Sequence, residues 1–287
     1  MSTNSYPGHF GNWDKGKLYK KIIPFVKRSI DYSYKPLVEI HEETSRYLVK
    51  IAVSKSERIK AHNLRLKVFS SEFIGQEKYS HSDSDWDLYD KKADFLIIID
   101  KRNNEIVGSY RLIRSHKVKD FYTSSEFIID DFINKNSDTK VELSRACVAS
   151  KYRKGSVILL LWKGIYSYLN QLNVDILFGC SSLSKVNVIQ TLNVIRFLQD
   201  KDYCSDNQWG IKSKGKFNCN QDLLMHLSQL SNLSDNKPDL PPLFKSYLSL
   251  GAKMIDIPAY DQHFKCYDFF TILNISSLSD TVVKRFS

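Results

Sequence analysis

Lys140 to Asn170 reads K-V-E-L-S-R-A-C-V-A-S-K-Y-R-K-G-S-V-I-L-L-L-W-K-G-I-Y-S-Y-L-N, and the fold turns on this stretch. Val141 to Val148 predicts a strand carrying Glu142, Ser144 and Arg145 among apolar residues. A short basic turn follows over Ser150 to Ser156, with Arg153, Lys154 and Gly155. From Val157 the chain is apolar-rich, free of proline and too long for an ordinary strand, which predicts a helix. Strand, basic glycine turn and helix together present backbone N–H groups and a positive helix end to an anion. Glu142, just ahead of the turn, adds a carboxylate for acid–base chemistry beside a bound phosphate.

The flanking sequence places this unit in a mixed α/β (α+β) order. Ser54 to Phe73 predicts a helix with Ser56 at its N-cap. Phe95 to Ile99 and Glu105 to Ile113 predict a hairpin turning at Lys101 to Asn104. Phe121 to Ile133 is aromatic, acidic and apolar and predicts a short helix. Past the central unit come a strand over Asp175 to Cys180 and a helix over Ser184 to Gln199. Pro241-Pro242 opens a helix that runs to Leu250 and stops at Gly251. Met254 to Ile257 and Asp268 to Ile275 complete the strands. This is not the strict alternation of a doubly wound sheet. Residues 1–54 predict an N-terminal arm, basic from Lys15 to Arg28, and residues 55–287 the main α/β domain.

Bulk properties narrow the setting. The 287 residues are 42% hydrophobic and 13% aromatic, enough for a real core. The net charge of +10 favours anionic partners: nucleic acid, an anionic membrane face or an acidic protein. Five scattered cysteines without a C-x-x-C pair argue against a disulfide framework and for a reduced, cytoplasmic setting. Cys147, among apolar strand residues, predicts a buried and inert thiol. No H-E-x-x-H, G-x-G-x-x-G or G-x-x-x-x-G-K-[ST] pattern occurs, so neither a zinc site nor a nucleotide loop is expected. The aspartates between Asp83 and Asp90 lack the glycine and distal glutamate of a calcium loop, and no metal is expected there.

Several pieces in this order resemble the GNAT acyltransferase superfamily over roughly residues 55–275. R-L-K-V-F (Arg65 to Phe69) and D-W-D-L-Y-D (Asp85 to Asp90) are similar to signatures of acyl-homoserine-lactone autoinducer synthases. I-V-G-S-Y-R-L (Ile106 to Leu112) looks like the family's second hairpin strand. F-Y-T-S-S-E-F (Phe121 to Phe127), P-P-L-F-K-S-Y-L-S-L-G-A-K and P-A-Y-D-Q-H-F-K-C-Y-D-F-F resemble the branch of ornithine-lipid N-acyltransferases. V-E-L-S-R-A-C-V, then K-Y-R, then L-L-W-K-G-I is the most specific match. The chain departs from the pattern at Ser144, where the ornithine-lipid branch has glycine, and at Ala149-Ser150, which replace His-Pro. The second glycine of the acetyl-CoA phosphate loop is absent.

The resemblance implies a GNAT fold and transfer of a (3-hydroxy)fatty acyl group to the α-amine of ornithine, giving lyso-ornithine lipid. The implied donor is the phosphopantetheine thioester of acyl carrier protein, with no bound cofactor. It makes Glu142 the candidate base, with a structural carboxylate paired to Arg145 as the alternative. Arg65, Phe69, Asp87, Asp90, Arg111 and Arg145 become candidate substrate residues; the alternatives are a solvated acidic loop for Asp87 and Asp90, and structural ion pairing of Arg65 and Arg111 with these aspartates. Val148, Arg153, Lys154, Gly155 and Ser156 would hold the phosphopantetheine. Acyl carrier protein, the amino acid and an anionic membrane surface are the expected partners, the last placing the protein peripherally on the inner membrane face. A synthase acting on another amine, and a basic module binding nucleic acid or membrane, stay open as rivals; the second explains the charge but not Glu142 beside the turn.

Overall fold

The structure, a computed structural model, describes residues 35–72, 86–115, 120–135, 137–153, 156–218, 238–262 and 264–286, with residues 223, 225 and 227. The sheet begins earlier than expected. Strands β1 (His41–Glu43) and β2 (Tyr47–Ile51) pair antiparallel, and β2 pairs onward with β3 (Asp94–Asp100). Tyr47, Val49 and Ile51 alternate into the core, so the second half of the expected arm belongs to the sheet. The basic stretch Lys15 to Arg28 lies outside the described residues.

The predicted hairpin is β3 with β4 (Glu105–Arg114), turned at Asn104 in the left-handed region with φ 56°. Beside β4 runs β6 (Lys140–Val148), then β7 (Ile176–Ser184), β11 (Cys266–Asn274) and β10 (Ala259–Asp261), with β9 (Lys253–Met254) also on β11. Only the β6–β7 pair is parallel among these neighbours. Parallel neighbours need a crossover, which α3 (Val157–Gln171) supplies.

Helix α3 packs closely on the sheet because Gly164 allows it. A Cβ there would stand 2.7 Å from Val49 Cγ1 and 2.9 Å from Leu96 Cδ1. The same core takes in α4 (Val188–Asp200) and α5 (Pro242–Ser249). A second core, with α1 (Lys55–Glu72), is built on phenylalanines: the Phe132 ring lies 5.1 Å from Phe178 and 5.4 Å from Phe270. Edge-to-face pairs of this kind add about 0.5–1.5 kcal/mol each beyond area burial.

Residues 121–133 are more broken than the short helix predicted for them. A 3-10 turn spans Thr123–Ser125, β5 (Phe127–Ile128) pairs with β8 (Lys212–Ser213), and α2 (Asp130–Asn134) follows. The chain ends in α6 (Asp280–Phe286).

Candidate active site

Strands β6 and β7 stay together for only part of their length. Their register runs from Lys140 opposite Ile176 to Leu143 opposite Gly179. The last pair is tight: a Cβ on Gly179 would stand 2.3 Å from the Leu143 carbonyl oxygen. Beyond it both strands continue, β6 to Val148 and β7 to Ser184, without pairing to each other. A cavity of about 330 Å³ is lined by these separated halves. Leu143 to Val148 form one wall and Cys180 to Ser182 another; α1 adds Val68 and Phe69, and Pro241 to Phe244 close it beside α5. The facing strand edges offer backbone N–H and C=O groups to an extended, amide-bearing ligand.

Strand β6 is distorted along this wall. Its register with β4 shifts between Ser109 and Arg111, and Arg145 holds φ at 55°. A left-handed non-glycine residue costs on the order of 1–2 kcal/mol. The distortion accompanies an Arg145 side chain that lines the cavity, stacked 4.6 Å from the Tyr122 ring centroid and 3.5 Å from Asp87 Oδ2. Of the expected substrate residues, Phe69 and Arg145 line the cavity.

Arg65, Asp87, Asp90 and Arg111 meet one another instead. Arg65 grips Asp90 through both nitrogens, at 2.9 and 2.7 Å. Arg111 Nη1 donates to both oxygens of Asp87 at 2.7 Å and to Asp90 Oδ1 at 3.0 Å. Asp87 also caps the 3-10 turn Leu88–Lys91, with Asp90 returning the bond. Burial alone would raise the Asp90 carboxyl; the Arg65 and Arg111 charges overcome it and hold that carboxyl well below the usual range. These four residues pin α1 to β4 and are not among those lining the cavity. Asp83 and Asp85 lie outside the described residues.

Glu142 is fully buried and likewise sits off the cavity. Its carboxylate accepts from the Tyr122 and Thr123 backbone N–H groups at 3.0 and 2.6 Å, and from the Thr123 hydroxyl. Burial pushes its pKa up, while Arg111 and those hydrogen bonds pull it down. It does not pair with Arg145; it fixes the turn that carries Tyr122 and Glu126 to the cavity wall. In the expected phosphate turn, Val148 and Arg153 line the cavity, and Arg153 Nε donates to the Val148 carbonyl at 3.1 Å. Arg153 also forms an ion pair with Glu72. Ser156 precedes α3 without a side-chain capping bond, and Lys154 and Gly155 lie outside the described residues.

Residues 64–163, which take in the second half of α1, the hairpin, β6 and the first turns of α3, match the family model described as acetyltransferase (GNAT) domain. The chain carries a GNAT domain. It is 29% identical over 241 residues to an L-ornithine N(alpha)-acyltransferase of Rhizobium meliloti (strain 1021), covering 80% of each chain. It is 28% identical over 257 residues to an L-ornithine N(alpha)-acyltransferase of Brucella abortus (strain 2308), covering 83% of this chain and 88% of that one. Among solved structures, the N-acyl amino acid synthase FeeM from uncultured soil microbes aligns with a TM-score of 0.44 at 10% identity, over 82% of this chain and 93% of that one.

The GNAT cavity also contains groups to which sequence reasoning gave no role. Glu126 and Asp268 line it, and their oxygens lie within 4.8 Å of each other and of an Asp261 oxygen. Both residues stand in segments quoted above, F-Y-T-S-S-E-F and P-A-Y-D-Q-H-F-K-C-Y-D-F-F, separated by over a hundred positions. No local pattern in either segment marks these acids as partners. Cys147 is buried, as its neighbours predicted. Among the described residues no helix is long and apolar enough to cross a membrane.

Proposed function

We propose that the protein transfers a (3-hydroxy)fatty acyl group from a thioester to the α-amine of L-ornithine, giving lyso-ornithine lipid. The observation that carries this reading is the parting of β6 and β7 beyond Gly179 around a cavity with an apolar wall. A phosphopantetheine arm is a chain of amides and fits between two strand edges. Leu143, Leu161 and Phe244 give the acyl chain an apolar lining. The acceptor is that of the L-ornithine N(alpha)-acyltransferases the chain resembles.

In the reaction the amine nitrogen attacks the thioester carbonyl, the C–N bond forms and the C–S bond breaks. The proton shed by nitrogen ends on the released thiol. Backbone N–H groups at Cys147 and Val148, on the distorted strand, are our candidates for stabilising the oxyanion between these steps. Glu142 acts in this scheme as a positioning residue, because it holds the Tyr122–Thr123 turn and does not face the cavity. The donor in this reading is acyl carrier protein, an acidic partner that Lys151 and Arg153 would meet beside the cavity.

The test is product analysis by mass spectrometry after incubating the purified protein with a 3-hydroxyacyl carrier protein and a panel of amino acids. N-acylornithine is the expected product. Acylation confined to a different amino acid would make the protein a synthase of another N-acyl amino acid. No transfer, together with salt-sensitive nucleic-acid binding, would favour the basic binding module.

A further inference from the structure

The cavity contains buried carboxyl groups that the acyl-transfer chemistry does not use. Glu126 is 1% exposed and Asp268 4% exposed, and both line the cavity. They hydrogen-bond to each other and to neutral groups. Cys180 donates its thiol to Glu126 at 3.6 Å, the Ser182 hydroxyl donates to Asp268, and the Cys266 thiol lies 3.4 Å from Asp268. Among the described residues, no lysine, arginine or histidine forms an ion pair with Glu126 or Asp268. Elsewhere in this molecule a buried carboxylate such as Asp90 is answered by arginine. These two carboxyls, withdrawn from water without an ion-paired cation, cost several kcal/mol each in the ionised form unless they hold protons or take a positive ligand.

Two further observations say which ligand. First, the same cavity is lined by Arg145, whose Nε is buried without a hydrogen-bond partner. The site therefore has an acidic part and a guanidinium, the complement of an amino acid bearing an extra ammonium group. Second, the relatives of Rhizobium meliloti and Brucella abortus are L-ornithine N(alpha)-acyltransferases by name, and L-ornithine carries such a group at its side-chain end. The donor geometry agrees. An ammonium has three N–H donors, and the cluster offers one oxygen from each of Glu126, Asp261 and Asp268. A hard divalent cation wants six or more oxygen ligands, whereas the neighbouring groups here include two thiols, Cys180 and Cys266.

We propose that Glu126 and Asp268, with Asp261 beside them, form a subsite that seats the side-chain ammonium of the amino-acid acceptor and so separates ornithine from neutral amino acids. Arg145, through its unused Nε, takes the acceptor's carboxylate. The proposal rests on the acyl-transfer reading for its substrate, but the binding it predicts is measured separately from turnover.

The experiment compares ornithine with norvaline, which has the same carbon chain without the terminal amine. Calorimetry on the protein without donor should detect ornithine and give norvaline at least about 100-fold weaker, a floor below the discrimination of sites whose buried polar groups lose their partner. Equal binding of the two overturns the subsite, whatever the turnover. Ornithine selectivity in binding without acyl transfer leaves the subsite standing and removes the acyl-transfer reading instead. In turnover, Glu126→Gln and Asp268→Asn should each reduce the ornithine-to-norvaline ratio of kcat/KM by about 10-fold or more, chiefly through KM for ornithine. A folded variant with the wild-type ratio overturns the assignment for that residue. Should either variant fail to fold, the wild-type binding comparison decides the question alone. Tight binding of Mn²⁺ or Mg²⁺ that competes with nothing but EDTA, with no ornithine preference, would make the cluster a metal site and overturn the proposal.

Discussion

Glu142 and Glu126 are both buried glutamates, and their surroundings give them different work. Glu142 spends its oxygens on the Tyr122–Thr123 turn, while Glu126 faces the cavity. Glu142→Gln keeps one acceptor oxygen and turns the other into a donor facing an N–H. The expected result is destabilisation of about 1–3 kcal/mol and reduced turnover, with the limbs of the pH–rate profile unmoved. Thermal melts and a pH series check this; an acid limb that vanishes in the variant would restore Glu142 as the base. The acidic pair should leave its own pH signature. Burial, opposed by hydrogen bonds from Ser182 and Cys266 and reinforced by Asp261, pushes the Asp268 carboxyl up to about 6. Burial and the same two aspartates also hold Glu126 well above the ordinary range, while Tyr122 and Cys180 act in the other direction. The folded state therefore binds more protons than the unfolded chain between about pH 4 and 6, and stability falls as pH rises through that window. An ammonium ligand favours the ionised form, so KM for ornithine should rise as pH drops below about 6. A flat KM across pH 5–8 would contradict this, and Asp268→Asn should flatten it.

At the scale of elements, Gly179 governs the place where β6 and β7 come apart. Gly179→Ala would drive a methyl group into the Leu143 carbonyl. Backbone cannot yield as a flexible side chain can, so a lowered melting temperature and loss of acyl transfer are expected together; a wild-type melt with full activity would show that the tight pair is dispensable. The strand and the helix after it were legible in the sequence because periodicity changes sharply at Val157, where an apolar-rich helix of fifteen residues begins; that β6 and β7 run parallel was not. The β3–β4 hairpin was legible from its turn residues. β1 and β2 were not, since three- and five-residue strands with acids on the outer face look like a polar arm until a partner strand is present. The charged network was anticipated as either substrate contact or structural pairing, and in the fold Arg65, Asp87, Asp90 and Arg111 do pair with one another. The acidic end of the cavity was not legible. Glu126 and Asp268 meet only through the approach of the Tyr122 turn and β11 to β7, which no local pattern announces.

For the molecule as a whole, the positive charge should matter in two places. Charge reversal at Lys151 and Arg153 should raise KM for an acidic carrier protein, and added salt should do the same to the wild type. Unchanged kinetics with acyl-CoA as an equally good donor would point to a CoA-dependent enzyme. The residues Lys15, Lys17, Lys20, Lys21, Lys27 and Arg28 flank Ile22, Ile23, Phe25 and Val26. Each basic residue near an anionic leaflet contributes on the order of 1 kcal/mol. Removing residues 1–30 should weaken binding to anionic liposomes in a sedimentation assay while sparing transfer to soluble ornithine; equal binding by the truncated chain would place the membrane contact elsewhere.

The interrupted pairing of β6 with β7 has a mechanical consequence. The sheet is in effect two leaves, β1-β2-β3-β4-β6 and β7-β11-β10, sewn along a seam that ends at Leu143 and Gly179. Anything lying in the gap with hydrogen bonds to both edges works as a rivet across an open book. Occupancy by the acyl donor should slow amide exchange along the seam itself, at Ile176 to Gly179, and not only where the donor touches. The empty enzyme should then breathe along that line, and the loaded one should shut.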